Sequence, residues 1–108
     1  MQERRRSDRC PIDMFVEERV GERTFLHPAI NLSADGIYIL SQSGRKIIDG
    51  TQLLTIAFTL PSGQSITTSG RVVYVDDRGG QLGIGIRFSE LSTTDQAAID
   101  SYISQNAA

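Results

Sequence analysis

The sequence predicts an all-β fold, a six-stranded antiparallel β-barrel with one C-terminal α-helix. Three observations predict it. Apolar residues alternate with small or polar ones through most of the chain, turn-forming residues separate the alternating runs, and helical spacing appears only at the end. At 108 residues with 39% hydrophobic and 22% charged positions, the chain has the material for one modest core and no second one.

The elements follow in chain order. Ile12, Met14 and Val16 form the first alternating set, closed by the turn Val20-Gly-Glu22. A second strand spans Thr24 to Ile30, where Pro28 calls for a local edge or a bulge because it has no N–H for a ladder. A third starts near Gly36 and runs through Ile37, Tyr38, Ile39 and Leu40. Leu54, Ile56, Phe58 and Leu60 share one face of a fourth, with Thr55, Ala57 and Thr59 on the other, before the turn Pro61-Ser-Gly63. Val73 and Val75 are read as a further inward pair, ending at the turn Asp77-Arg-Gly-Gly80. Ile84, Ile86 and Phe88 then alternate with Gly83, Gly85 and Arg87. Ser92-Thr-Thr-Asp95 resembles a capping box, and Ala98, Ile99, Tyr102 and Ile103 recur at helical spacing behind it. That helix, about 93–105, carries one apolar stripe and should lie across an open side of the barrel. Closure removes the unpaired strand edges that invite aggregation.

Composition excludes several function classes. The net charge of −2 offers no electrostatic case for nucleic acid, and 6% aromatics without Trp leaves little stacking surface beyond Tyr38 and Tyr74. No apolar run approaches the roughly 18 residues that span a bilayer, and no apolar stretch follows the basic start, so neither membrane insertion nor a signal peptide is expected. The single Cys10 permits no internal disulfide and suits a reducing cytoplasm. The sequon Asn31-Leu-Ser33 is then accidental.

Catalytic readings fare poorly. His27 is the only histidine and lies beside Pro28 in a strand, so a structural or surface role is expected. No Cys/His cluster has metal-ligand spacing. Cys10 reads as a small buried thiol, and Asp76 and Asp77 as a turn pair. The chain is expected not to be an enzyme and to need no cofactor.

Two short clusters remain. Arg4, Arg5, Arg6 and Arg9 place four of the eleven basic residues in an arm over positions 1–9, ahead of the body at 10–108. Arg5-x-x-x-Arg9 offers planar forks of donors that fit guanine O6 and N7 or a phosphate. Asn31-Leu-Ser33-Ala-Asp-Gly36 reads structurally as a turn, with Asn and Ser capping backbone and Gly in a conformation other residues resist. Read functionally, Asn31 can bond a base edge, Ser33 can donate to phosphate, and Gly36 lets a ligand approach the backbone.

The ordered set of Arg-x-x-x-Arg, a strand pair, Asn-x-Ser-x-x-Gly, the strand ending Gly85-Ile-Arg-Phe88 and a short helix resembles the PilZ family over Glu3 to Ile103. The resemblance implies a six-stranded split barrel that binds cyclic di-GMP, with Arg5 and Arg9 clamping guanine and phosphate. Asn31, Ser33 and Gly36 would line the barrel surface beneath the ligand. Asp35 stands where relatives frequently carry a small residue, and a carboxylate facing the phosphates would repel them. Some family members take up a self-stacked pair of ligands, which implies up to two molecules per chain here, with Arg4 serving the second. The arm has almost no apolar content, so it is expected to be mobile until ligand fixes it. Ordering costs roughly 1–2 kcal/mol per residue, and charge-assisted hydrogen bonds of about 1.5–3 kcal/mol each offset it. With four residues ahead of Arg5, the signal is expected to pass to a separate, unidentified downstream protein. The competing expectation is a PilZ-like adaptor that works through protein contacts without cyclic di-GMP.

Overall fold

The computed structural model describes residues 9–41, 53–77 and 79–106. Six strands, β1 (Cys10–Val20), β2 (Arg23–Leu32), β3 (Gly36–Leu40), β4 (Leu53–Thr59), β5 (Ser65–Asp77) and β6 (Leu82–Glu90), precede helix α1 (Thr93–Asn106). Every neighbouring pair is antiparallel, and the order β1-β2-β3-β6-β5-β4 closes on itself where Glu17, Glu18 and Arg19 pair with Ala57, Ile56 and Thr55. The six-stranded barrel and terminal helix are as the alternation predicts.

The turns show why these strands reverse where they do. Val20 pairs with Arg23, leaving a two-residue loop in which Gly21 takes φ 61° while Glu22 has no positive φ, the pattern of a II′ hairpin. Pro28 lies where β2 is paired with β1 at Phe15, just outside the β2–β3 ladder that begins at Ala29. Its missing N–H therefore removes no bond on the β3 side, the local edge that a proline requires.

The barrel interior holds Val16, Leu32, Ile37, Ile39, Ile56, Ile66, Val72 and Ile84, all essentially inaccessible, and Ile99 and Ile103 of α1 join the same core. The Asp95 N–H donates to Ser92 Oγ at 3.0 Å, so Ser92 caps the helix as its sequence signature requires. Gln64 Nε2 donates to Asp95 Oδ1 at 3.0 Å and Gln96 Nε2 to the Ala34 carbonyl at 2.9 Å. These two bonds hold α1 across the barrel end between the β4–β5 turn and the β2–β3 turn.

One inward assignment is corrected. Val75 packs against the core, but Val73 is 47% exposed and the buried residue is Val72. The β5–β6 register shifts between Val72 and Tyr74, a bulge that turns Val73 and Tyr74 outward side by side. A period-2 reading breaks wherever one extra residue enters a strand.

His27 is wholly buried in the barrel interior, its Nε2 2.8 Å from Oε1 of the equally buried Glu18. Burial pushes the Cys10 thiol above its ordinary value, which keeps it protonated and unreactive. Asp77 Oδ1 accepts the Gly80 N–H at 2.9 Å in the expected turn, whereas Asp76 Oδ1 accepts the Tyr38 hydroxyl at 2.6 Å. Among the described residues no helix is long and apolar enough to cross a membrane.

Candidate functional site

Outward-facing positions of β2, β3, β6 and β5 line up in two rows. Asn31 pairs with Tyr38, Tyr38 with Gly85 and Gly85 with Tyr74. In the next row Gly36 pairs with Arg87, and Arg87 with Arg71. The two rows frame an open groove of about 180 Å³ lined by Arg9, Ser33, Asp35, Gly36, Val73, Tyr74, Gly85 and Arg87, together with Ile37 and Ile86.

Each wall has a local cause. Arg9 directly precedes β1, and the pairing of Cys10 with Leu32 and Pro11 with Asn31 brings it beside the end of β2. There Arg9 Nη1 donates to Asn31 Oδ1 at 2.8 Å, joining residues 22 positions apart in the chain. The Ser33 N–H donates to the Gly36 carbonyl at 2.8 Å, and the Phe88 N–H to the Asp35 carbonyl at 2.9 Å, so the β2–β3 turn is tied both to itself and to β6. Ser33 is only 2% exposed, its hydroxyl 3.0 Å from Asp35 Oδ1 and 3.2 Å from the Gly36 carbonyl oxygen. The opposite wall is the bulge, which presents Val73 and Tyr74. The Tyr74 ring stacks on Tyr38 with centroids 5.9 Å apart, and both rings occupy space that side chains at Gly83 and Gly85 would fill.

Gly36 departs from its expected reason. Its φ is not positive, and a Cβ there would overlap the Ile86 carbonyl oxygen. The glycine is demanded by the close approach of β3 to β6, whatever lies over it.

The groove thus unites Arg9, Ser33 and Gly36 from the two sequence motifs, with Asn31 joined to it through its hydrogen bond with Arg9, while Arg4 and Arg5 lie outside the described residues. Arg87 and Val73 join it without having been read as site residues from sequence, and Tyr74 had been named only as one of two scarce stacking surfaces. Alternation put Arg87 on the face opposite Ile84 and Ile86, but only register sets it beside Gly36. Among the described residues no group of three or more His, Cys, Asp or Glu could hold a metal ion.

The family model of the PilZ domain matches residues 3–105. The chain belongs to the PilZ domain family. No curated protein matches it in sequence. Among solved structures it is similar to the Bacillus subtilis inhibitor of motility MotI/DgrA, at 22% identity and TM-score 0.85 over 96% of this chain and 51% of that one. The PilZ domain of YcgR from Escherichia coli, solved with c-di-GMP, superposes at TM-score 0.77 and 16% identity over 96% of this chain and 92% of that one. PlzA of Borreliella burgdorferi in complex with c-di-GMP gives 0.62 and 15%, over 92% of this chain and 40% of that one. At these identities the likeness to each structure is one of fold. The chain spans about half the length of the Bacillus protein and most of the YcgR domain.

Proposed function

We propose that the chain is a non-catalytic receptor domain for cyclic di-GMP, bound on the β2–β3–β6–β5 face. The observation that carries the reading is the Arg9–Asn31 hydrogen bond, which joins the two PilZ motifs at the mouth of one groove. Arg9 is exposed and keeps further N–H donors for guanine O6 and N7 or for a phosphate. Asn31 Oδ1 has a second lone pair for a guanine N–H. A volume of about 180 Å³ falls short of the roughly 300–1,000 Å³ of pockets that enclose a ligand. On this reading the arm at 1–9 completes the site, Arg5 serving the first ligand and Arg4 a stacked second one, as the family resemblance implies. Fixing the arm then becomes an order–disorder switch read by a separate protein in the cytoplasm.

Calorimetry with cyclic di-GMP tests this. Binding in the micromolar range or tighter is expected, with two ligands per chain. Arg5→Ala and Arg9→Ala should each weaken affinity about ten- to a hundred-fold, the worth of a charge-assisted hydrogen bond. Neither should unfold the barrel. Absence of heat in the unmodified protein, or unchanged affinity in both variants, overturns the reading. A stoichiometry of one removes the role of Arg4.

A further inference from the structure

The groove lining also carries charge that neither motif supplies. Arg87 lines the groove together with Arg9, and Arg71 is its direct partner across the β5–β6 ladder. Arg87 follows the buried Ile86, and Arg71 precedes the buried Val72, so both guanidinium side chains stand on the outer face. Like charges placed directly opposite each other in a ladder favour an anion between or beside them.

A carboxylate of the chain itself occupies that neighbourhood. Asp35 Oδ2 lies 3.9 Å from Arg87 Nη2, while its Oδ1 accepts from the buried Ser33 hydroxyl at 3.0 Å. Ser33 has one hydroxyl proton, with the Gly36 carbonyl 3.2 Å away as a second acceptor, so it cannot also donate to an incoming anion. The carboxylate thus sits between a hydroxyl donor and a guanidinium, the pair of groups that recognises a phosphate oxygen. Its hold on Arg87 is loose and solvent-exposed, the kind of ion pair that gives way easily.

We propose that Arg87, reinforced by the charge of Arg71, is a phosphate-binding residue of this groove, and that Asp35 is its internal competitor. Binding requires a phosphate oxygen to replace the carboxylate at Ser33 and Arg87. Phosphodiester and carboxylate each carry one negative charge, so the exchange gains little until Asp35 swings away. Asp35 therefore sets the affinity of the site low, and Arg87 transmits that setting. The inference rests on the reading of the groove as a cyclic di-GMP site.

The experiment is calorimetry with cyclic di-GMP on the full chain and on D35N, R87Q and the D35N/R87Q double variant, each checked for folding by circular dichroism. D35N retains an oxygen to accept from Ser33, so the turn survives while the charge is removed. R87Q should weaken binding about tenfold, the low end of what one charged hydrogen bond is worth, and D35N should tighten it about five- to tenfold. In the R87Q background the gain from D35N should shrink to about twofold or less, because coupled residues are non-additive. Unchanged affinity in R87Q overturns the proposal. So does an equal gain from D35N in both backgrounds, which would mean through-space repulsion alone. If the unmodified chain binds no cyclic di-GMP, the receptor reading fails, and pyrophosphate decides the anion site separately. A rise in melting temperature with pyrophosphate in the unmodified chain but not in R87Q keeps Arg87 as an anion site. An equal shift in both, or none, removes it.

Discussion

Gly36→Ala separates two explanations of one motif glycine. If Gly36 serves only to let a ligand approach, alanine should leave stability alone and weaken binding. The structure places the new methyl against the Ile86 carbonyl oxygen, a backbone atom inside the β3–β6 ladder. That atom cannot turn aside as the end of a flexible side chain could. Ile37 and Ile86, partners in the next rung, are both core residues, so moving the strands apart also opens the barrel interior. Overpacking of this kind costs about 1–3 kcal/mol, and a rigid backbone neighbour argues for the upper half. Unfolding entropy near 2.1 cal/mol/K per residue gives about 0.23 kcal/mol/K for a chain of 108 residues, so about 2–3 kcal/mol lowers Tm by roughly 9–13 °C. Thermal unfolding followed by circular dichroism without ligand is the assay. A Tm within about 2 °C of the parent would refute the packing argument and return the glycine to the ligand.

Other expectations follow from the same packing. Ile99→Ala empties a fully buried site where α1 meets the barrel core and should cost about 2–5 kcal/mol in chemical denaturation, a loss that a peripheral helix would not show. Ser92→Ala removes the helix cap and should cost about 1 kcal/mol, whereas Ser92→Asp should restore most of it. Burial raises the Cys10 thiol above its ordinary 9.0, and burial, then the nearby Cys10, raises the Tyr102 hydroxyl above 10.0. The folded state thus holds these protons more tightly than the unfolded state, so their contribution is complete below about pH 9 and is lost as pH rises further. Cys10→Ala should lower Tm at neutral pH yet flatten its decline above pH 9; an unaltered alkaline slope would refute the assignment.

The barrel was legible in the sequence because the signals that specify it are local. Alternation with period 2 places Ile84 and Ile86 on one face and Gly85 and Arg87 on the other without knowledge of any partner strand. Gly21, Gly63, Gly79 and Gly80, all at positive φ, mark turns that the sequence signalled directly. Ser92 and the stripe through Ile99 and Ile103 specify the helix in the same way, since a cap and a 3.6-residue period span only a few turns. The two PilZ motifs were equally readable as ordered strings, whereas the hydrogen bond between Arg9 and Asn31 came only from the β1–β2 pairing.

What only the tertiary structure decided is register, which depends on strands far apart in the chain. The bulge at Val72–Tyr74 exists only relative to β6, and it reversed the assignment of Val73 and built a groove wall from it. The same register aligned Gly36, Arg87 and Arg71, and so revealed both the true reason for the glycine and the carboxylate beside Arg87. His27 likewise carries no sequence mark of burial; the β1–β2 hairpin gave it Glu18 as a partner inside the barrel. Side-chain periodicity tells which face a residue is on, but the neighbours on that face are chosen by cross-strand pairing, and chemistry at a site needs neighbours.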